Sequence, residues 1–597
     1  MDLTILRARW RAFRQRARTD ELFIIFLATI CGALAAAGVI ALRGVVVLLH
    51  HYLYGVPLRE HSLTEASLAW WQPLLVLGLG GLVYGVAAQL IRRWRPQDPL
   101  DVIEANALHG GIMSMFDGVI IALMTAASVG LGASVGLEAG VTQLGAAMSS
   151  QIGQRLKLNR ATLRTMVGCG AAAAIAAAFN APIAGAFYAL ELVIGGYAVT
   201  ALVPVSIAAI TGTLTSHLIF DVEPIYYIIT PPMLTSVDYI LFGFLGLAAA
   251  GVGVLVMRAA TTFEAWLRKA HIPPWLRPAM GGLVLAGIGY LYPQTLGTGH
   301  ATIDATLRDS VPMQLLLALL GAKILASSIS IASGYRGGLF SASLLLGGLL
   351  GSAYWATCFY LFPANIAVHS AYAVVGIGAV AAAVVGAPLT MILLVFETTS
   401  DYTVTVGVAL AVLVATVCTR RWFGYSFSTW RFHLRGVGLK GAYDIGRMYE
   451  LTVRRVLDRD VLKVDAATPL VDLCSMLVIN RQPFAFVQRE DGEFVGIVDG
   501  AEANARLLQG GTEDVTAESL AHKQAQILTP NDRLSTALTV LEASEFDAVA
   551  VVMSHTDHRL LGCVHEADLL RLYVEEADRM RRDELGDVGL FTDQPGR

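Results

Sequence analysis

Asn180-Ala181-Pro182, with Glu191 nine residues beyond the proline, returns later in the chain as Gly386-Ala387-Pro388, with Glu397 again nine residues beyond. Each run follows an alanine-rich stretch, opening Gly168-Cys169-Gly170 in the first case and Gly376-Ile377-Gly378 in the second. An earlier pair of matches keeps the same order: Gly136-Leu137-Glu138 followed by Gly145, and Gly338-Leu339-Phe340 followed by Gly347. Alanine and glycine recur by chance in apolar helices, but two motifs in one order at nearly one offset indicate a duplicated plan. In an apolar chain such a duplication predicts a pseudo-symmetric transporter whose site lies where the repeats meet.

The chain around these motifs is apolar. Of 597 residues 55% are hydrophobic and 15% charged, with a mean hydropathy of +0.59, whereas a soluble chain carries roughly a quarter charged residues. The formal charge of -4 is unevenly spread. Arg7, Arg9, Arg11, Arg14, Arg16 and Arg18 precede the first apolar run, Leu22 to Leu42, and dense charge returns only after Arg420. That first run is long enough for a hydrocarbon core of about 30 Å. Its basic flank predicts a cytoplasmic N-terminus in a plasma (inner) membrane. A cleaved signal peptide fits less well, since more apolar segments follow rather than a secreted domain. Several later blocks, such as Leu163 to Leu192 and Ala371 to Phe396, are interrupted by glycine and proline. Broken segments of this kind are tolerated at membrane depth where they line a site.

After Trp430 the composition changes. Short β-rich runs, Phe484 to Val487, Phe494 to Val498, Ala548 to Val552 and Leu560 to Val564, alternate with amphipathic stretches such as Leu470 to Ile479 and Leu534 to Ala543. This predicts a soluble α/β module, itself doubled, with both chain ends cytoplasmic and an even number of complete crossings. The six cysteines stand singly, with no CxxC or Cys/His spacing, so packing roles are expected rather than disulfides or zinc. No metal set and no nucleic-acid partner is indicated.

A small anion in a membrane needs positive potential without a fixed charge that would trap it. Helix N-termini supply that, and glycine beside them lets an ion approach the backbone. The segments Gly130 to Gly145, Gly334 to Gly347 and Gly376 to Gly386 have this character. Glu138 stands out among them, because a carboxylate in an apolar, glycine-flanked segment is costly unless it is functional, paired or protonated. Beside an anion site it would compete with the ion when charged and withdraw when neutral, a gate and proton carrier at once; a helix cap is the plainer role. Glu191 and Glu397, placed identically after their prolines, are expected to share a structural hydrogen-bonding role, and Glu104 a structural one. Lys323 and Arg336 would either raise the potential of the pore or snorkel to an interface. Phe340, apolar where its repeat mate is an acid, would shape a constriction or offer its backbone N–H.

These residues resemble the CLC family of chloride channels and chloride/proton antiporters over residues 20–430. The family's GREGP motif resembles Gly136-Leu137-Glu138-Ala139-Gly140, its GGIFAP motif Gly337-Gly338-Leu339-Phe340-Ser341-Ala342, and its AAAFNAPIAG stretch Ala176 to Gly185; GAPLT stands as Gly386 to Thr390. The resemblance implies a polytopic all-α membrane domain of two inverted-topology repeats and a homodimer with one pore per subunit. It makes Glu138 the gating glutamate and Gly136, Leu137, Ala139, Gly140, Gly338, Leu339, Phe340 and Ser341 the surroundings of chloride or a similar small anion. Three departures accompany it. The family's GSGIP motif is not readable, the nearest stretch being Gln97-Asp98-Pro99-Leu100-Asp101 before Ile103 and Glu104. The internal proton-transfer glutamate of the antiporters falls on Leu192, which favours uncoupled or weakly coupled flow over chloride/proton exchange. The pore-lining tyrosine aligns with Phe427 or, less well, Tyr425.

The tail resembles a tandem pair of CBS domains. By that resemblance Asp568 stands at the ribose-binding position, with His565 in place of the usual Thr and Asp499 a weaker counterpart in the first copy, so an adenine nucleotide is a candidate ligand and no cofactor is required. The expected organisation is a basic N-terminus (1–20), a membrane domain (21–430), a linker (431–452), two CBS domains (453–510 and 511–577) and a C-terminal tail (578–597). A CBS-regulated cation transporter would need clustered carboxylates, whereas the acids here are isolated. An intramembrane enzyme would need a nucleophile with its base, or HExxH, and ATP-driven pumping a GxxxxGK[ST] loop; none occurs.

Overall fold

The computed structural model describes residues 21–57, 69, 71–95, 99–219, 234–308, 311–362, 366–428, 430, 451–509, 515–523, 526–542, 544, 546–569, 571–572 and 575. The expected basic N-terminus, most of the linker and the C-terminal tail therefore lie outside the described residues. The chain divides into two compact units, Met1–Asp444 and Ile445–Arg597.

The first unit is helical. Its elements are α1 (Glu21–Tyr54), α2 (Trp71–Trp94), α3 (Val102–Ala107), α4 (Met115–Gly130), α5 (Glu138–Leu156), α6 (Arg160–Phe179), α7 (Pro182–Tyr188), α8 (Val199–Ile219), α9 (Ser236–Lys269), α10 (Arg277–Leu291), α11 (His300–Arg308), α12 (Met313–Ala332), α13 (Phe340–Leu361), α14 (His369–Val385), α15 (Pro388–Thr399) and α16 (Tyr402–Trp422). A π-helical segment, Ala189–Ile194, follows α7. Among the described residues 8 helices are long and apolar enough to cross a membrane. The remaining apolar helices are shorter, as the interrupted blocks predict.

The interruptions have one chemistry in both repeats. Helix α6 ends at Asn180, with φ 54, and α14 at Gly386, with φ 83, both left-handed. This backbone region suits glycine and, next best, asparagine at a helix end. An alanine follows, and then a proline opens the next helix, where its missing N–H costs nothing. Helices α6 and α14 are the most deeply buried segments, covered from Met166 to Phe179 and from Ala371 to Val385. Each touches its neighbour through paired glycines. A Cβ at Gly145 would strike the carbonyl oxygen of Gly170, and one at Gly347 that of Gly376. The structural mate of Gly376 is thus Gly170, two residues from the Gly168 that the motif match aligns with it.

The second unit holds two three-stranded sheets. One contains β1 (Lys463–Asp465), β2 (Phe484–Gln488) and β3 (Phe494–Asp499), the other β4 (Ile527–Leu528), β5 (Ala548–Val552) and β6 (Leu560–His565). In each, the first pairing is parallel and the second antiparallel. The boundary expected at 510/511 is crossed by both cores. Ala517, with Val515 and Leu520, packs on Leu470, Leu473 and Val487 of the first copy. Leu451, at the end of the linker, and Val453, which opens that copy, pack on Leu528, Leu534 and Val564 of the second. Each copy therefore borrows the segment leading into the other, and neither closes its core over the sequence interval assigned to it.

Candidate functional site

The repeats meet at the starts of α5 and α13. Gly136 and Gly338 exchange backbone hydrogen bonds, at 2.9 and 3.3 Å, in an antiparallel bridge that sets the two helix N-termini side by side. Neither N-cap residue, Leu137 or Leu339, supplies a side-chain cap. The first-turn N–H groups of both helices are therefore left for other acceptors.

Glu138 lies at this junction, 5% exposed. Its Oε1 accepts a short hydrogen bond from the Ser341 hydroxyl of the opposite repeat. Its Oε2 is buried and has no hydrogen-bond partner among the described residues. The carboxylate folds back over Gly136, where a Cβ would collide with Oε2. Asp238 provides the contrast: equally buried, it accepts from the N–H and hydroxyl of Thr235, the N–H of Ala367 and the Tyr372 hydroxyl. A buried acid with a full set of donors is structural, whereas one with an open oxygen calls for explanation.

Two cavities flank Glu138. The first, about 120 Å³, is lined by Asp101, Thr142, Tyr188, Phe340, Phe427 and Ser428, among others. The second, about 350 Å³, is lined by Arg43, His50, Thr298 and His300 over an apolar wall from α1, α4 and α6. Among the described residues Glu138 alone lines both.

The expected site residues distribute as follows. Ala139, Gly338, Leu339, Phe340 and Phe427 line the first cavity with Glu138. Leu137 faces the second. Ser341 holds the glutamate, and Gly136 gives it room. Gly140 packs on Thr125. Tyr425 stands away from both cavities, its ring 5.9 Å from that of Trp430, so of the two tyrosine candidates only Phe427 reaches the cavity, and it brings no hydroxyl. Asp101, from the stretch nearest the unreadable motif, caps α3 by accepting from the Ile103 N–H and does line the cavity.

The other charged residues resolve into structural and electrostatic roles. Glu191 accepts from the N–H groups of Leu389 and Thr390 and from the Thr390 hydroxyl, at the start of α15. Glu397 accepts from the N–H groups of Ile183 and Ala184, at the start of α7, both at 2.7 Å. Each glutamate thus caps the proline-led helix of the other repeat. Lys323 does not snorkel. It is fully buried, with Nζ donating to the carbonyls of Thr295 and Gly297 at 3.0 Å each. Leu192 is buried in the apolar core.

Sequence reasoning missed Tyr188, Thr142, Arg43, His50 and His300. Arg43 and Tyr188 left signals. An arginine directly after Leu42, in a helix that continues to Tyr54, is an ionisable group inside an apolar span. Tyr188 falls between Pro182 and Glu191 where the second repeat has Leu394, a difference between halves of the same kind as Glu138 against Phe340. His300 has no motif around it; only the fold brings it to the site.

In the tail, Asp568 is exposed just beyond β6. The His565 ring stands 3.3 Å from Cys563 Sγ, 3.8 Å from Asp458 Oδ2 and 6.0 Å from the Phe484 ring. Burial, with the nearby carboxylates of Asp458 and Asp568, pushes the Cys563 thiol up to about 12, so it is an inert packing group. Asp499 caps the helix that follows β3 through the Ala501 N–H.

A two-repeat helical membrane domain with a single acid between two cavities defines a class of transport protein, and comparison with known proteins supplies the family. Residues 80–420 match the family described as voltage gated chloride channel, and residues 517–575 the CBS domain. A putative chloride channel protein ClcB-like from Ralstonia nicotianae is 31% identical over 399 residues, 66% of this chain and 93% of that one. The voltage-gated ClC-type chloride channel ClcB of Citrobacter koseri is 28% identical over 404 residues, 66% of this chain and 95% of its own. Among solved structures, a slow cyanobacterial Cl-/H+ antiporter superposes with a TM-score of 0.59 at 23% identity, over 70% of this chain and 97% of its own. A eukaryotic CLC transporter gives 0.53 at 18% identity over 92% of this chain and 98% of its own. The chain belongs to the voltage-gated chloride channel (CLC) family and carries a CBS tail.

Proposed function

We propose that the protein conducts chloride, or a similar small anion, between the two cavities, with Glu138 as the gate and with flow uncoupled or weakly coupled to protons. The observation that carries this reading is that Glu138 alone lines both cavities. Charged, its carboxylate occupies the helix N-termini that would otherwise receive the anion. Neutral, it loses that attraction and yields the place. Among the described residues the first cavity offers the ion backbone N–H groups and the hydroxyl of Tyr188, and no fixed positive side chain. Such a site binds weakly enough to release what it takes up. Leu192 supports the uncoupled reading, because a hydrocarbon side chain relays no proton onward from the gate.

The protein works, in this reading, as a homodimer in the plasma (inner) membrane with both termini cytoplasmic, and the tail senses an adenine nucleotide near Asp568 and His565. The deciding experiment reconstitutes the full chain in liposomes and follows chloride efflux and proton movement together, with Glu138→Ala and Glu138→Gln alongside. Chloride efflux without stoichiometric uphill proton movement is expected, altered in both variants. Unchanged chloride flux in the variants would remove Glu138 from the pathway. Uphill proton movement at fixed stoichiometry would replace the uncoupled reading with chloride/proton exchange.

A further inference from the structure

The cavity on the far side of Glu138 from Tyr188 concentrates nitrogen bases in an otherwise apolar wall. Helix α1 contributes Arg43 and His50, and α11 opens with His300. Arg43 is held by its Nη2 donating to the Ala178 carbonyl, and His50 by Nε2 at 3.2 Å from the Val129 carbonyl. His300 is placed differently, because its partners are hydroxyls. Its Nδ1 lies 3.1 Å from Thr298 Oγ1 and its Nε2 3.4 Å from Ser341 Oγ. Ser341 in turn donates to Glu138 Oε1. With the serine hydroxyl proton directed to the carboxylate, its oxygen is the acceptor for an Nε2–H, and Thr298 completes the ring at Nδ1. The result is a directed chain from imidazole through hydroxyl to carboxylate, starting in a cavity and ending at the one acid that separates it from the other.

We propose that His300, through Ser341, is the proton relay that opens and resets the Glu138 gate from the Arg43 cavity, a proposal that rests on the gating role of Glu138. In the forward step the imidazolium Nε2–H bond breaks and its proton passes to Ser341 Oγ, while the Ser341 hydroxyl proton passes to Glu138 Oε1. The ring and the carboxyl end neutral, and the serine is unchanged. The reverse sequence returns the proton and restores the charged gate. The ionisable groups facing His300 are Glu138 from α5, Arg43 and His50 from α1, and Lys323 from α12, the last through the carbonyl of the cavity residue Gly297. The basic side chains of Arg43 and Lys323 on one side and a carboxylate on the other favour passing the proton on rather than storing it on the ring. Because Leu192 is buried in the apolar core and its hydrocarbon side chain carries no proton, the proton enters and leaves on the same side. The relay therefore makes the pore proton-gated without coupling chloride flow to proton transport.

The test compares His300→Ala, His300→Gln, Ser341→Ala and Glu138→Gln in liposomes. Chloride efflux is measured at matched pH on both sides between about pH 4 and 8. Wild-type efflux is expected to rise as pH falls. The rise should be lost in His300→Ala and Ser341→Ala, since a positioned general acid contributes roughly a hundredfold or more in rate. Added imidazole should restore it in His300→Ala, whose missing ring it can replace, and not in Ser341→Ala. Should His300→Ala fail to elute as a folded protein, His300→Gln decides, since an amide fills the space and carries no proton. A wild-type pH profile in the His300 variants, with the profile abolished in Glu138→Gln, would overturn the relay and leave the gate standing. Loss of the profile in His300→Ala without imidazole rescue in a folded protein would make the ring merely structural and would equally overturn it. A wild-type profile in Glu138→Gln would sink the gating reading itself.

Discussion

The two repeats of the membrane domain agree where they hold the fold and part company where they face the anion path. Glu191 and Glu397 occupy matched positions and do matched work, each capping the other repeat's proline-led helix. Gly145 with Gly170, and Gly347 with Gly376, make the same close helix approach twice. At the junction, by contrast, Glu138 faces Phe340, and Tyr188 has Leu394 as its mate. Duplication fixed the scaffold, and departures from it mark the groups that treat the two sides of the junction differently.

The strongest way to break this comparison is to make the halves alike at the junction. Glu138→Phe, or the milder Glu138→Gln, removes the charge that, as proposed, competes with the ion. Chloride efflux is expected to change by roughly tenfold or more, equivalent to 1.4 kcal/mol or above on the limiting barrier, and to lose its pH dependence. Phe340→Leu, on the opposite side, should change efflux by a smaller factor and leave the pH dependence intact. Equal effects from the two substitutions, read as efflux against pH, would mean that the asymmetry at this level has no functional content.

The matched glutamates should fail in the same way as each other and differently from Glu138. Glu191→Ala leaves three donors without acceptor, and Glu397→Ala leaves two. Each loss is expected to cost about 1–3 kcal/mol, with Glu191 the larger. Thermal unfolding in detergent reads this as two lowered midpoints, while the pH profile of the chloride efflux that remains is unchanged. A changed pH profile in either variant would move that glutamate from scaffold to function.

This division also decides what the sequence could reveal. The repeat, the broken helices, the placing of Glu138 where the repeats meet and the structural character of Glu191 and Glu397 were legible, because each is carried by spacing along one chain. That each glutamate caps the opposite repeat was not, since its partners lie some two hundred positions away. Lys323 was undecidable by pattern, because snorkelling and burial demand the same apolar neighbours; only the Thr295 and Gly297 carbonyls distinguish them. The tail shows the limit of reading intervals as domains. Its doubling was evident from the strands, but the exchange of Leu451 and Val453 against Ala517 depends on which core each segment enters. His300 belongs to a third kind, a residue with no local signature that acquires meaning from a neighbour 41 positions away.

The smallest expected effect concerns the first cavity, proposed to take the anion, where the asymmetry is a single oxygen. By resemblance Phe427 is the better match to the family's pore-lining tyrosine, and Tyr188 lines the same cavity. If the ion uses a phenolic hydroxyl there, Tyr188 is the one tyrosine among the described residues that lines the cavity. Tyr188→Phe keeps the ring and its 6.2 Å contact with Phe340. It removes one donor, and a hydrogen bond to a charged partner contributes about 1.5–3 kcal/mol. Backbone N–H groups remain, and they would take up part of the loss. Apparent chloride affinity, measured as the concentration giving half-maximal efflux, should therefore weaken by no more than about tenfold, with the pH profile of Glu138 gating unchanged. Phe427→Tyr in the same background sharpens the point. It should recover part of the affinity if the hydroxyl matters to the ion, and none of it if Tyr188 only shapes the wall.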